Sequence, residues 1–467
     1  MKRIGRRALI RRGAAAAFAV GGYARGARAA KATLRRDPDG ILDLLPGFTY
    51  RVVQRVGERM DDGFLVPGWP DAMACFQGPD NNWILMRNQE LATIHRSISA
   101  YPPGSGLSMP PQAVNPARYG GVTRLVMDAA SGDLISSNLV LTGTERNCAG
   151  GPSPWGWLSC EETSVPGHGY VYLCATDASS VQPGHRITGF GRYRHEAAAV
   201  HPTTHVTYLT EDATDSAFYR FLPKSPETPF TGKLQAMTLE GGAEFETSKM
   251  RRGERRAIGW VDIPQPDPVD DSVRYQARAA GAAVVSRGEG LWLKDDDLFM
   301  CATTGGPGWR GQVFRIRVAS AAGAPEWIET VADASGGSDL DMPDNITVSP
   351  QGHLYVAEDG LGGNYLRRVD LDGNVVPLAH NAASGGEFAG PCFSPDGRTL
   401  FVNLQQDGLT LAIKGPFGHE HVQPAGASAS SPPSSEGQSL TWGPAAGAAT
   451  GLGLLALAIR RRMRAAP

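Results

Sequence analysis

The chain has 467 residues, a formal net charge of -2 and 41% hydrophobic residues. That balance fits a globular protein with a substantial core and excludes a strongly basic surface for nucleic acid. Its 58 glycines and 34 prolines, set against few long Ala/Leu/Glu/Lys-rich stretches, point to short strands joined by tight turns, hence to an all-β chain.

Residues 1–29 are expected to be an export signal. A basic start, a mild apolar run over residues 14–23 and small residues around Ala27 and Ala29 make a signal peptide cleaved after Ala29. Within it "RRALIR" resembles the twin-arginine motif, with Arg6 and Arg7 as the pair. An Arg-rich general secretory signal is the alternative, but the weakly hydrophobic Ala/Gly run favours the twin-arginine route. A periplasmic or cell-surface location follows.

Three later segments are self-similar: "VHPTTHVTYLTED" from Val200, "VSPQGHLYVAEDG" from Val348 and "FSPDGRTLFVNLQ" from Phe393. Each reads as an apolar residue, a polar turn and an apolar strand, and the last two start about 45 residues apart, a spacing typical of propeller blades. "RLVMDAASGDLISSNLVLTG" and "LRRVDLDGNVVPLA" keep the same rhythm. A β-propeller of about six blades with inserted loops is expected. A β-sandwich is the rival, and it would not explain the recurring turn.

Acidic residues recur where these strands end: Glu90 after "WILMRNQ", Glu161 and Glu162 after "WLSC", Glu211 and Asp212 after "TYLT", Glu358 and Asp359 after "YVA". On separate blades such positions converge at one mouth of the central channel, where only cations make the assembly stable. Carboxylate oxygens suit calcium, whereas the thiol of Cys160 beside Glu161 and Glu162 points to a transition metal such as iron. A small buried residue is the bland alternative for Cys160. The six cysteines, at 75, 148, 160, 174, 301 and 392, show no zinc spacing, and some could pair after export.

The C-terminal region changes character. Residues 421–440 form a Ser/Pro-rich linker, and residues 441–467 carry an apolar stretch followed by "RRRMR". That order suits a membrane anchor or sorting tail better than a disordered end.

Several stretches resemble the PhoX alkaline phosphatases: "NCAGGPSPWGWLSCEET", "GRYRHEAAAVHPTTHVTYLTEDATDSAFYRFLP", "SRGEGLW", "MPDNITVSPQGHLYVAEDG" and "GGEFAGPCFSPDGRTLFVNLQ". The resemblance runs from about Gly47 to Pro416, so residues 30–420 form the expected PhoX-like domain. It implies a six-bladed propeller, twin-arginine export and a phosphomonoesterase site with Fe(3+) and Ca(2+). By motif it puts Cys160 on iron and offers Glu161, Glu162, Glu196, Glu211, Asp212, Glu289, Glu358, Asp359 and Glu387 as metal ligands. Asn345 is a further amide donor or a turn residue, and His195 a ligand-orienting or a core histidine. One departure is "NQE" at residues 88–90, where the family commonly has "NHE"; Gln89 cannot transfer a proton as histidine does.

Arg194, Arg287 and Arg367 adjoin the acidic motifs and are the candidates to grip a phosphate dianion bidentately. No G-x-S-x-G elbow is present, which argues against a covalent serine route. The expected partner is a small phosphoester met by a monomeric enzyme with a possible C-terminal membrane anchor. The rival functions are a non-enzymatic calcium-stabilised propeller that binds a surface partner and a lactonase-like propeller enzyme.

Overall fold

The structure, a computed structural model, describes residues 33–418 apart from residue 322. The export signal, the Ser/Pro linker and the apolar tail lie outside the described residues, which all belong to a unit spanning Met1–Ala425.

Six strands stand around a central axis: Pro70–Gln77, Asn147–Ser153, His195–Val200, Gly288–Lys294, Pro343–Val348 and Phe388–Phe393. Each neighbours the next and the last neighbours the first, so they form a closed ring. Each is also the innermost strand of an antiparallel sheet whose other members lie progressively farther out. These sheets are numbered here as blades 1 to 6. The arrangement is a β-propeller, and a two-sheet sandwich has no counterpart to the ring.

The chain ends are used to protect sheet edges, which otherwise invite strand pairing from outside. Thr49–Arg55 pairs with Leu409–Lys414 and supplies the outer strand of blade 6. Leu42–Leu44 lies along the outer edge of blade 5. Arg255–Asp262 pairs with the outer strands of both blade 3 and blade 4 and joins them into one sheet.

The three self-similar sequences occupy one structural position. In blades 3, 5 and 6 they comprise the end of the inner strand, a turn, and the second strand: Thr207–Glu211, Leu354–Glu358 and Thr399–Leu404. Apolar side chains such as Trp157, Tyr172, Tyr208 and Phe314 fill the space between blades. All six cysteines are free thiols, and five are buried, so none of the pairing that export would permit is formed.

Close approach of the inner strands dictates small residues there. A Cβ on Gly151 would run into the carbonyl of Ala198 on the next blade, and one on Gly290 would lie 2.7 Å from the carbonyl oxygen of Asp344. Both obstacles are backbone and cannot rotate away. Gly151→Ala is therefore expected to cost about 2 kcal/mol or more, measured by denaturant unfolding. Gly362→Ala, with nothing near its added methyl, should stay within about 0.5 kcal/mol of the parent.

Candidate metal centre

Each inner strand begins with a break in register: between Pro70 and Met73, Asn147 and Gly150, His195 and Ala198, Gly288 and Leu291, Pro343 and Ile346, and Ala389 and Cys392. A bulge releases residues from the ladder and re-aims their side chains. The first released residue is Asp71, Cys148, Glu196, Glu289 and Asp344 in blades 1 to 5. Blade 6 has Gly390 there and brings Glu387 from just before its strand. Small residues follow, Ala72, Ala149, Ala197 and Gly290 among them, and line the axis beneath.

The second strands supply another layer, and their paired acids divide the work. Successive residues of an extended strand face opposite ways. Glu161 accepts hydrogen bonds from the backbone N–H groups of Glu145 (2.9 Å), Gly169 (2.9 Å) and Tyr170 (3.2 Å) and faces His168 Nδ1 at 2.7 Å. Glu211 accepts from the Tyr219 hydroxyl (2.7 Å) and Arg274 (3.2 Å), and burial pushes its pKa up to about 7. Glu358 accepts from Arg367 Nε at 2.9 Å and from the backbone of Asp341 and Tyr365, and burial again raises its pKa to about 7. These three fasten loops of their own blades and the connections that lead to or from them. The following residues, Glu162, Asp212 and Asp359, face the axis with Glu90.

The result is a basin of nine carboxylates (Asp71, Glu90, Glu162, Glu196, Asp212, Glu289, Asp344, Asp359 and Glu387), each raised in pKa by another or raising another's. Oxygens of Glu196, Glu289 and Asp344 come within 4.8 Å of one another. The Cys148 thiol hydrogen-bonds Glu196 Oε2. Burial first, then mutual repulsion, drives Glu162 to about 8, Asp344 to about 7 and Asp359 to about 6.

Two arginines partly offset this charge. Arg146 Nη2 lies 2.7 Å from both Glu90 and Glu162. Arg287 donates to both oxygens of Asp212 (2.8 and 3.1 Å) and lies 2.8 Å from Glu289. Both have φ of 52°, a left-handed backbone uncommon for non-glycine residues and frequent at functional sites. Arg194 holds the equivalent position in blade 3, is exposed, and bridges by backbone to Glu162. Gln405 adds a neutral donor to Asp71 (2.7 Å) and Glu90 (3.0 Å).

Several expectations need correction. Cys160 is on the opposite face of its strand, among Leu158, Val171, Ile187 and Tyr193, and burial alone raises its thiol pKa. The thiol in the basin is Cys148. Glu161, Glu211 and Glu358 hold loops, and Arg367 is buried on Glu358 with its guanidinium over Tyr365, so none of the four reaches the basin. His195 is a core histidine: Nε2 meets the Gly191 carbonyl at 3.1 Å, the ring stacks on Tyr193, and burial lowers its pKa to about 3. Gln89 hydrogen-bonds Thr123 inside blade 1, so the "NQE" departure falls off the axis. Asn345 ties Asp344 to the Gly390 N–H.

The sequence pattern does not single out Asp71, Asp344, Cys148 or Arg146, and it marks Glu90 as an acidic strand end without making it a ligand. A three-residue word marks most of them: an acid or cysteine followed by a small residue, as in "PDA", "NCA", "HEA", "GEG" and "PDN". An arginine precedes three of these words, in "RNC", "RHE" and "RGE".

The family model for alkaline phosphatase PhoX matches residues 30–134 and 120–408. The chain belongs to the PhoX family. PhoX membership makes it a phosphatase. Among solved structures, Pseudomonas fluorescens PhoX in complex with vanadate, a transition state analogue, is 18% identical with a TM-score of 0.65, covering 83% of this chain and 98% of that one. A gluconolactonase from Xanthomonas campestris is 13% identical with a TM-score of 0.41, covering 79% and 95%. No curated protein sequence matches the chain.

Without cations, the basin makes the folded state hold more protons than the unfolded chain at pH values above the ordinary carboxylate range. Stability of metal-free protein should therefore fall as pH rises above about 4, through the range near 8 where Glu162 loses its proton, with Asp71, Glu196, Glu289 and Glu387 held up in the same direction by burial. Thermal unfolding of chelator-treated protein from pH 5 to pH 9 checks this; millimolar calcium should restore the loss at pH 8. A flat metal-free profile would show that the acids do not strain the fold.

Proposed function

We propose that this chain is an exported phosphomonoesterase that works with Fe(3+) and Ca(2+) held in the axial basin. The observation that carries the reading is the Cys148 thiol set among carboxylates from all six blades. Thiolate with carboxylate is a donor set for a transition metal, and the oxygen-only remainder suits calcium. Cys148 with Glu196 would hold iron, and Asp212, Asp344, Asp359 and Glu387 offer oxygens for calcium. When bound, such ions supply positive charge to phosphoryl oxygens and lower the pKa of a coordinated water.

The protein's own groups provide placement. Asp212 and Glu289 fix the Arg287 guanidinium through Nε and Nη2 and leave Nη1 to donate to a phosphate oxygen. Arg146 is held in the same way by Glu90 and Glu162, and Arg194 contributes a third cation from the intervening blade. Phosphoryl transfer depends chiefly on such positioning and charge stabilisation. Export by the twin-arginine route and anchoring through residues 441–467 remain part of this proposal, on their sequence features; a monomer acting on a small phosphoester completes it.

Metal analysis of natively exported protein, with para-nitrophenyl phosphate turnover before and after chelation, tests the reading. Iron and calcium should be present and turnover should disappear on their removal. Cys148→Ser should abolish a visible thiolate-to-iron absorption and cut turnover about 100-fold or more, while Cys160→Ser should keep the absorption. The opposite result would return the iron to Cys160. Calcium without iron, and no phosphoester cleaved, would favour a calcium-stabilised binding module. Arg287→Ala is expected to lower kcat/KM by about 100-fold, measured by initial rates on metal-loaded protein.

A further inference from the structure

Eight large apolar side chains are exposed among the described residues: Ile94, Val114, Ile135, Val269, Tyr275, Trp309, Leu361 and Leu371. Single exposed apolar residues are ordinary. Their distribution here is not. Four lie in loops that follow a second strand and so leave the blades at the mouth of the basin, and two lie in the long connection between blades 3 and 4. Ile94 and Val114 follow the second strand of blade 1, Val269 and Tyr275 lie between blades 3 and 4, and Trp309 and Leu361 follow the second strands of blades 4 and 5.

Trp309 and Leu361 are tied to the basin's edge by a short chain of hydrogen bonds. The Met342 N–H donates to the Arg310 carbonyl at 2.8 Å, and the Asp359 N–H donates to the Met342 carbonyl at 3.0 Å. Arg310 is also paired with Asp341 at 3.0 Å. Both loops are thus tied by hydrogen bonds to Met342, in the segment that leads into Asp344. Trp309 is 68% exposed although its backbone is left-handed at φ 58°, between Gly308 at 71° and the anchored Arg310. Most of this large ring is thus presented to water. Across the mouth, Ile94 projects beside His95, which lies against Trp69 with ring centroids 4.2 Å apart.

We propose that this rim receives the alcohol portion of the substrate, and that the preferred substrates are phosphate monoesters of apolar alcohols. The inference rests on the phosphatase reading above and adds to it the part of the substrate that the basin does not touch. A phosphate in the basin leaves its ester oxygen directed outward, and whatever it carries leaves past the loops that bear Trp309 and Leu361. Burying apolar surface there rewards an alkyl or aryl group and offers nothing to a polyol. Soluble esters and lipids with a terminal phosphate share this chemistry.

The test compares kcat/KM for n-hexyl phosphate and glycerol 3-phosphate, whose leaving alcohols are both aliphatic, on metal-loaded enzyme. The hexyl-to-glycerol ratio should drop about fivefold or more in Trp309→Ser and again in Leu361→Ser. An unchanged ratio in both variants, or an equal loss on both substrates, would overturn the rim as a specificity element. A third arm, dioleoyl phosphatidate in phosphatidylcholine vesicles, separates the sources: hydrolysis that falls in the same variants assigns a lipid, and hydrolysis of hexyl phosphate alone assigns soluble esters. If the metal-loaded parent cleaves none of the three esters, the phosphatase reading fails rather than the rim.

Discussion

Repulsion among carboxylates converging on a dry axis is the constraint around which this protein is built. Unlike charges at a surface, those of Glu196, Glu289 and Asp344 are shielded by little water and have few basic neighbours. Two arginines and a glutamine amide do not balance nine acids. The fold tolerates the excess because the surrounding blades are rigid, closely packed sheets, and because multivalent ions can replace the missing positive charge. Protein stability and ligand affinity are therefore two expressions of the same electrostatic imbalance.

The bulge is the device that creates this imbalance repeatedly. A regular strand at the axis would alternate its side chains between the flanking blade interfaces, with none directed along the channel mouth. Breaking register at the start of the inner strand frees one side chain to project there in each of blades 1 to 5. The second strand contributes through ordinary alternation, one acid of each pair fastening a loop and the next entering the basin. Anchoring a loop and facing the basin are thus assigned to consecutive residues, so that Glu161, Glu211 and Glu358 hold in place the loops that present Glu162, Asp212 and Asp359.

Much of the architecture was legible in the sequence because turn and strand spacing recur in blades 3, 5 and 6. The acidic strand ends were legible for the same reason. What could not be read was facing. "SCEE" contains a thiol and two acids in consecutive positions, and proximity in the chain suggested a shared site. A strand separates neighbours, and Cys160 faces the apolar space between blades while Glu162 faces the axis. Asp71 and Asp344 stand beside no acidic strand end in the sequence, and groups they meet, such as Gln405 for Asp71 and Glu289 for Asp344, come from other blades. Cys148 was passed over because nothing beside it in sequence is acidic; Glu196 reaches it only through the ring.

Closure of blade 6 by Thr49–Arg55 has a consequence for the order of events in the cell. The ring is completed only when a strand from the beginning of the domain meets Leu409–Lys414 near its end. A chain still emerging from the ribosome holds some of the acids but cannot enclose them, since Glu387 and Gln405 are among the last to appear. Cation capture must consequently follow synthesis of almost the whole domain, in whichever compartment that final strand docks, and the ions available there decide what the enzyme carries.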